Sequence, residues 1–131
     1  MRLALVVVVA CASLLSACNT YRDQLAHSQR AFEQNDHERA LALLRDLERD
    51  MTRLAASEQA QYAYLRGMTD YRIGHRSDAR HWLAIARAYD ERTPGILPTD
   101  WTARMTAALD ELDGVVHESG YSALGNVSAT P

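Results

Sequence analysis

The chain has 131 residues, with 14 Lys and Arg against 17 Asp and Glu, a formal net charge of −3. This is the size of one small domain, and the mildly acidic balance without a basic stripe argues against nucleic acid as a partner. Glycine and proline are scarce between residues 20 and 92, where Ala, Leu, Arg and Glu are common; these strong helix formers predict an all-α domain.

At the N-terminus Arg2 supplies one positive charge, and Leu3 to Ala17 is almost wholly apolar. A charged start, an apolar run and small residues at its end make the pattern of a secretory signal. The run is short for a spanning helix, which needs about 20 apolar residues. Leu15-Ser16-Ala17-Cys18 places a branched apolar residue and two small residues before a cysteine. The motif resembles the lipobox of bacterial lipoproteins. That resemblance implies removal of residues 1–17 as a signal peptide, diacylglycerol on the Cys18 thiol, and usually acylation of the freed amine. Each buried methylene contributes roughly 0.8 kcal/mol, so two or three acyl chains hold a protein firmly at a membrane. Val8-Val9-Ala10-Cys11 also fits the motif locally, but only Leu3 to Val7 would precede it. Cys11 is then discarded with the signal, and the mature protein has neither a disulfide nor a free thiol. Asn19 follows the lipidated position where aspartate would favour inner-membrane retention. The family rule therefore implies the outer membrane and its periplasmic face.

The segment 20–34 reads as a first helix, with Leu25, Ser28 and Phe32 on one side. Asn35 and Asp36 break it, and Asp36 is a good N-cap for the next helix. There Ala40, Leu43, Leu44, Leu47, Met51 and Leu54 recur at three- and four-residue steps, an apolar stripe at helical period. Ser57 is expected to cap a third helix with Ala60, Tyr64, Gly67, Met68 and Tyr71 inward. Gly74 suits the left-handed conformation that ends a helix. Ser77 is expected to cap a fourth, with Asp78 near its positive end and Ala79, Trp82, Leu83 and Ala86 as its stripe. TPGILP at 93–98 is a turn-rich break. Thr99 or Asp100 then caps a fifth helix carrying Trp101, Met105, Ala108 and Leu112. From Gly114 to Pro131 no period is sustained, which predicts a flexible C-terminal tail after a helical domain spanning 18–113.

A faint internal repeat recurs at a spacing of 39 residues. Ser28 matches Gly67, Phe32 matches Tyr71, Asn35 matches Gly74, Ala40 matches Ala79, Leu44 matches Leu83 and Leu47 matches Ala86. The order small, aromatic, turn, small, large, apolar resembles the tetratricopeptide repeat, a helix-turn-helix unit. The second unit matches better, because Gly67, Tyr71, Gly74, Ala79, Leu83 and Ala86 all carry the residue types of that family. The spacing exceeds the usual 34 of such repeats, and the expected proline is missing after the first unit. The resemblance implies antiparallel helical hairpins, about two repeats plus a capping helix, built into a superhelix or bundle. It also implies that the first helix of each pair lines a concave groove for a protein partner. Tyr62 and Arg66 lie off the inner stripe of the third helix, and Tyr and Arg are favoured at binding hot spots. They are the candidate groove residues.

Little here points to catalysis. His27, His37, His75, His81 and His117 form no i, i+4 pair and read as solvated, so no metal is expected. There is no GxSxG, no HExxH and no phosphate-cradling glycine loop. No cofactor is implied. The sequence thus reads as a lipid-anchored lipoprotein, not an enzyme, whose helical module binds an envelope protein as adaptor or assembly factor. One rival is a self-associating structural lipoprotein. Another is a small-ligand binder with an open pocket lined by Tyr64, Trp82 and Trp101.

Overall fold

The computed structural model describes residues 20–127 and contains helices and turns, with no strand among those residues. Five α-helices follow one another: α1 (20–33), α2 (His37–Leu47), α3 (Ala56–Ile73), α4 (Arg76–Arg92) and α5 (Thr99–Val127). A 3-10 segment, Glu48–Arg53, separates α2 from α3. Cys11, Cys18 and Asn19 lie outside the described residues.

The all-α expectation is correct, and the hairpins have a common construction. Asn35 (φ 60°) and Gly74 (φ 99°) both turn the chain through the left-handed region, which Asn tolerates and Gly adopts freely. Asp36 N–H donates to the Ala31 carbonyl (2.9 Å), and His75 N–H donates to the Asp70 carbonyl (2.8 Å). Ala40 N–H then bonds Asp36 and Ala79 N–H bonds His75, each at 2.9 Å. Every one of these partners in the second hairpin is 39 positions from its counterpart in the first. The pairs Ala40 and Ala79, Leu44 and Leu83, and Leu47 and Ala86 are all fully buried.

α3 is the central element, packed against α2, α4 and α5. Its closest approach is to α4 at Gly67. A Cβ there would sit 2.6 Å from Leu83 Cγ and 2.9 Å from the Leu83 backbone nitrogen, so only glycine lets the two helices lie this close. α4 buries Ala79, Trp82, Leu83 and Ala86, the same stripe that its periodicity predicts. α5 buries Met105, Ala108, Leu109 and Leu112, again on the expected side, with Trp101 half-buried.

Five boundaries differ from expectation, one of them the start of α5: Thr99 and Asp100 both lie inside that helix, so neither is its N-cap. The long second helix stops at Leu47. Glu48 N–H bonds the Arg45 carbonyl, three residues back, instead of Leu44. The Leu44 carbonyl accepts the Tyr62 hydroxyl at 2.9 Å, and the chain tightens into the 3-10 segment. Ser57 does not cap α3. The helix starts at Ala56, where the Glu58 carboxylate accepts the Ala55 N–H at 2.9 Å, the reaching-back half of a capping box. Ser77 does not cap α4, because the turn closed by Gly74 starts the helix at Arg76. Finally, α5 continues past Gly114 to Val127, through residues expected to form a flexible tail. Nothing after Gly114 within that stretch is a proline, so no residue there is barred from the helical ladder.

A candidate docking groove between the fourth and fifth helices

Tyr62 and Arg66 do not line a surface. Tyr62 is fully buried and Arg66 is 5% exposed. Tyr62 meets the Trp82 ring edge-on at 5.4 Å, and burial pushes its phenol pKa up to about 12 against the pull of Arg66. Arg66 Nε donates to Asp70 Oδ2 (2.9 Å) and Nη1 to Glu48 Oε2 (2.6 Å). Its guanidinium carbon lies 5.4 Å from the centroid of Trp82, within cation–π range. Asp70 is fully buried, and its second oxygen faces His75 Nδ1 at 3.1 Å. The expectation that these residues form a concave groove is therefore corrected. They tie α3 to the 3-10 segment and to the start of α4. The reason is position: α3 is covered on three sides, so a polar residue off its apolar stripe still faces a neighbouring helix. An Arg and an Asp four residues apart are the sequence signal for an intrahelical pair. Glu48, which completes it, comes from another element.

The space between the aromatics is filled. Tyr64 stacks on Trp101 at 4.3 Å with an interplanar angle of 14°, and Trp82 packs on Tyr62 and His81. The Tyr64–Trp82–Trp101 region is thus core. The histidines divide: His27, His75, His81 and His117 are exposed, while His37 is half-buried with its ring 5.5 Å from Phe32. Among the described residues, no three His, Cys, Asp or Glu side chains converge as metal ligands. Nor is any described helix long and apolar enough to cross a membrane.

The accessible feature is a groove of about 710 Å³ between α4 and α5. Its apolar wall comes from Ala84, Ile85 and Ala88 of α4 and from Leu112, Val115 and Val116 of α5. Val115 is 41% and Val116 51% exposed; they are the two exposed large hydrophobic side chains among the described residues, and both lie here. Arg76, Arg80 and Arg87 supply its positive groups, Asp113 an acidic one and His81 an imidazole.

Charge pairs brace the groove. Arg76 Nη2 donates to Glu111 Oε1 at 2.9 Å, and the Tyr71 hydroxyl donates to the other Glu111 oxygen. Arg80 Nε donates to Asp113 Oδ1 at 2.6 Å. The Tyr71 hydroxyl, and then Arg76, hold the Glu111 carboxyl below its ordinary pKa; the Arg80 bond does the same for Asp113. These pairs are solvated, so each adds little stability. Arg87 is looser, 3.8 Å from Glu91.

The sequence reading missed this groove because Val115 and Val116 fall in the stretch expected to be a tail. Their signal was present: both continue the α5 stripe three and four positions after Leu112. Comparison with known proteins finds no matching family model, no similar curated protein and no similar solved structure.

Proposed function

We propose that the chain is a lipid-anchored bacterial lipoprotein on the periplasmic face of the outer membrane, and that its helical module docks another envelope protein in the α4–α5 groove. The observation that carries the docking role is the convergence of Val115 and Val116 on one apolar groove. Scattered apolar residues are ordinary on a surface, whereas apolar side chains grouped inside a polar rim mark an interaction site. The address rests on the Leu15-Ser16-Ala17-Cys18 motif after its apolar run. The paired turns and small-to-large packing of the two hairpins support the likeness to tetratricopeptide modules. The role is binding, not catalysis: a tether confines the module to a surface and raises the effective concentration of whatever it holds.

Two measurements test this. Mass spectrometry of the purified protein is expected to show acylated Cys18 at the N-terminus; an unmodified thiol or an uncut leader would sink the anchor. A photo-crosslinking residue in place of Val116 is expected to capture one envelope protein in cells, and the same residue in place of exposed Ala42 on α2 is expected not to. Equal capture from both positions would dismiss the groove. Capture of a second copy would replace the adaptor with the self-associating structural role.

A further inference from the structure

α1 and α3 run in the same direction. Arg22, in the first turn of α1, pairs with Glu58 in the first turn of α3, and Gln61 Nε2 donates to Gln29 Oε1 further along both helices. α4 returns against α3, and the Tyr89 hydroxyl near its end donates to Gln59 Oε1. The bundle therefore has two distinct ends. One gathers the start of α1, the 3-10 segment, the start of α3 and the end of α4; there the Arg53 guanidinium carbon lies 5.5 Å from the centroid of the Tyr21 ring. The other carries the left-handed turns at Asn35 and Gly74, about 27 Å away along the 18 residues of α3 at about 1.5 Å each. We infer that a lipid bilayer covers the first end and that the two turns face away from it. The inference rests on the lipid anchor proposed above and adds the orientation in which that anchor holds the module.

The length of the tether carries it. The acylated residue is Cys18 and α1 begins at residue 20, so Asn19 alone lies between them. A chain spans at most about 3.6 Å per residue, which keeps Thr20 within roughly 7 Å of the anchored residue whatever path the link takes. That reach is a fraction of the length of α3, so the module cannot turn over and present its far end. Nor is it drawn down on its side along α1. The exposed large hydrophobic side chains among the described residues are Val115 and Val116, and the Arg76–Glu111 and Arg80–Asp113 braces hold their part of α5 to the start of α4, beside the turn at Gly74. The near end suits a headgroup layer. Tyr21 is half-buried with Arg53 over its ring, and both residue types are amphipathic enough to sit at a polar boundary. Ala55, Ala56 and Ser57 are small and exposed, so no bulky side chain holds the start of α3 off a surface. Arg22 is matched by Glu58 and Arg53 by Asp50 at 3.2 Å, so the covalent tether, not an excess of charge, sets the orientation.

The test uses the full lipidated protein in vesicles of phosphatidylethanolamine and phosphatidylglycerol, with a nitroxide on a fraction of the headgroups. Cys11 leaves with the signal and Cys18 carries lipid, so Ser57→Cys at the near end and Ser77→Cys at the far end each offer a single thiol for a fluorophore; both serines are exposed. Circular dichroism checks that each labelled variant is folded. The label at 57 is expected to be quenched at least threefold more than the label at 77. Inserting about 20 Gly and Ser residues between Asn19 and Thr20, a coil with an end-to-end distance of about 25 Å, is expected to erase the difference. Equal quenching at the two sites, stronger quenching at 77, or a difference that survives the linker would overturn the inference. Protein that does not float with the vesicles, or an unmodified Cys18 thiol, removes the anchor and the orientation together. Floating protein with acylated Cys18 and no preference for the near end leaves the anchor standing and rejects the orientation alone.

Discussion

The two hairpins share a backbone and differ in what they bury at its turn. In the first, the carbonyl that closes the turn belongs to Ala31; in the second it belongs to Asp70. The Asp70 carboxylate then gathers Arg66 and His75, with Glu48 on the far side of the arginine. The first hairpin closes the same turn with a methyl group in place of that carboxylate, so the turn does not require the charge. The packing shows the same division. Ser28 keeps its hydroxyl satisfied within its own helix, on the Gln24 and Leu25 carbonyls at 2.8 and 3.0 Å, whereas Gly67 admits Leu83. The repeated part of the architecture is apolar and steric, and the ionic cluster is an addition confined to the second unit.

The largest expected effect comes from breaking that addition on one side only. Asp70→Ala leaves the Arg66 charge, with a side chain 6% exposed, short of a partner, and removing one member of a buried pair costs about 3–5 kcal/mol. Urea unfolding is expected to show that loss. The double variant Arg66→Met/Asp70→Ala gives the second hairpin an uncharged interior and is expected to recover most of it. A double variant as unstable as the single would mean that the cluster is part of the architecture.

Next in size, Gly67→Ala forces a methyl against Leu83, and overpacking of this kind costs about 1–3 kcal/mol. Ser28→Ala at the matching position is expected to stay within about 1 kcal/mol, since only a local hydroxyl bond of that order is lost. Equal losses at the two sites would refute the claim that α3 and α4 are the closer pair. Smaller still, Gly74→Ala is expected to cost about 1–2 kcal/mol, the penalty for an L-residue in the left-handed region. Asn35→Gly relieves the same penalty and is expected to be neutral within about 0.5 kcal/mol, because greater backbone freedom in the unfolded chain offsets the relief. Thermal melts of the two variants are expected to shift in unequal amounts.

The smallest effect lies on the groove side of the second hairpin. Glu111 and Asp113 are held below their ordinary values of 4.5 and 3.8. A depressed carboxylate contributes stability above its unfolded pKa and loses it as pH falls through the folded one. The α4–α5 braces are thus expected to hold above the ordinary carboxylate range and to slacken below it. The tryptophan emission of Trp101 against pH, compared between the parent and Glu111→Gln, checks this; identical profiles would contradict it.

Sequence periodicity shows helices where one side is wet. α4 has a solvated face, and all four of its predicted inward residues are buried. The left-handed turn at Gly74 was equally plain, because few residue types tolerate that conformation, whereas Asn35 was legible only as a break between helices. α3 defeats the same reasoning. It buries Ala60 and every residue from Tyr62 to Asp70, so it has no dry stripe distinguishable from a wet one. Tyr62 and Arg66 were placed on a surface for that reason. Their true partners, the Leu44 carbonyl and Glu48, are 18 positions away, beyond any local pattern. The groove was hidden differently: Gly114 and Gly120 weakened the helical signal of the segment that contains Val115 and Val116. The Leu15-Ser16-Ala17-Cys18 string, which carries the proposed lipidation, is local and is read without reference to any fold.

The Tyr62 hydroxyl on the Leu44 carbonyl has a consequence for how the polypeptide behaves in pieces. A fragment containing only residues 36–54 lacks the phenol that draws that oxygen out of the ladder. Its final turns are then free to keep the ordinary pitch through Leu54. We expect the tight coil at 48–53 to depend on that hydroxyl bond from the third helix, and circular dichroism of the fragment against the intact chain checks it.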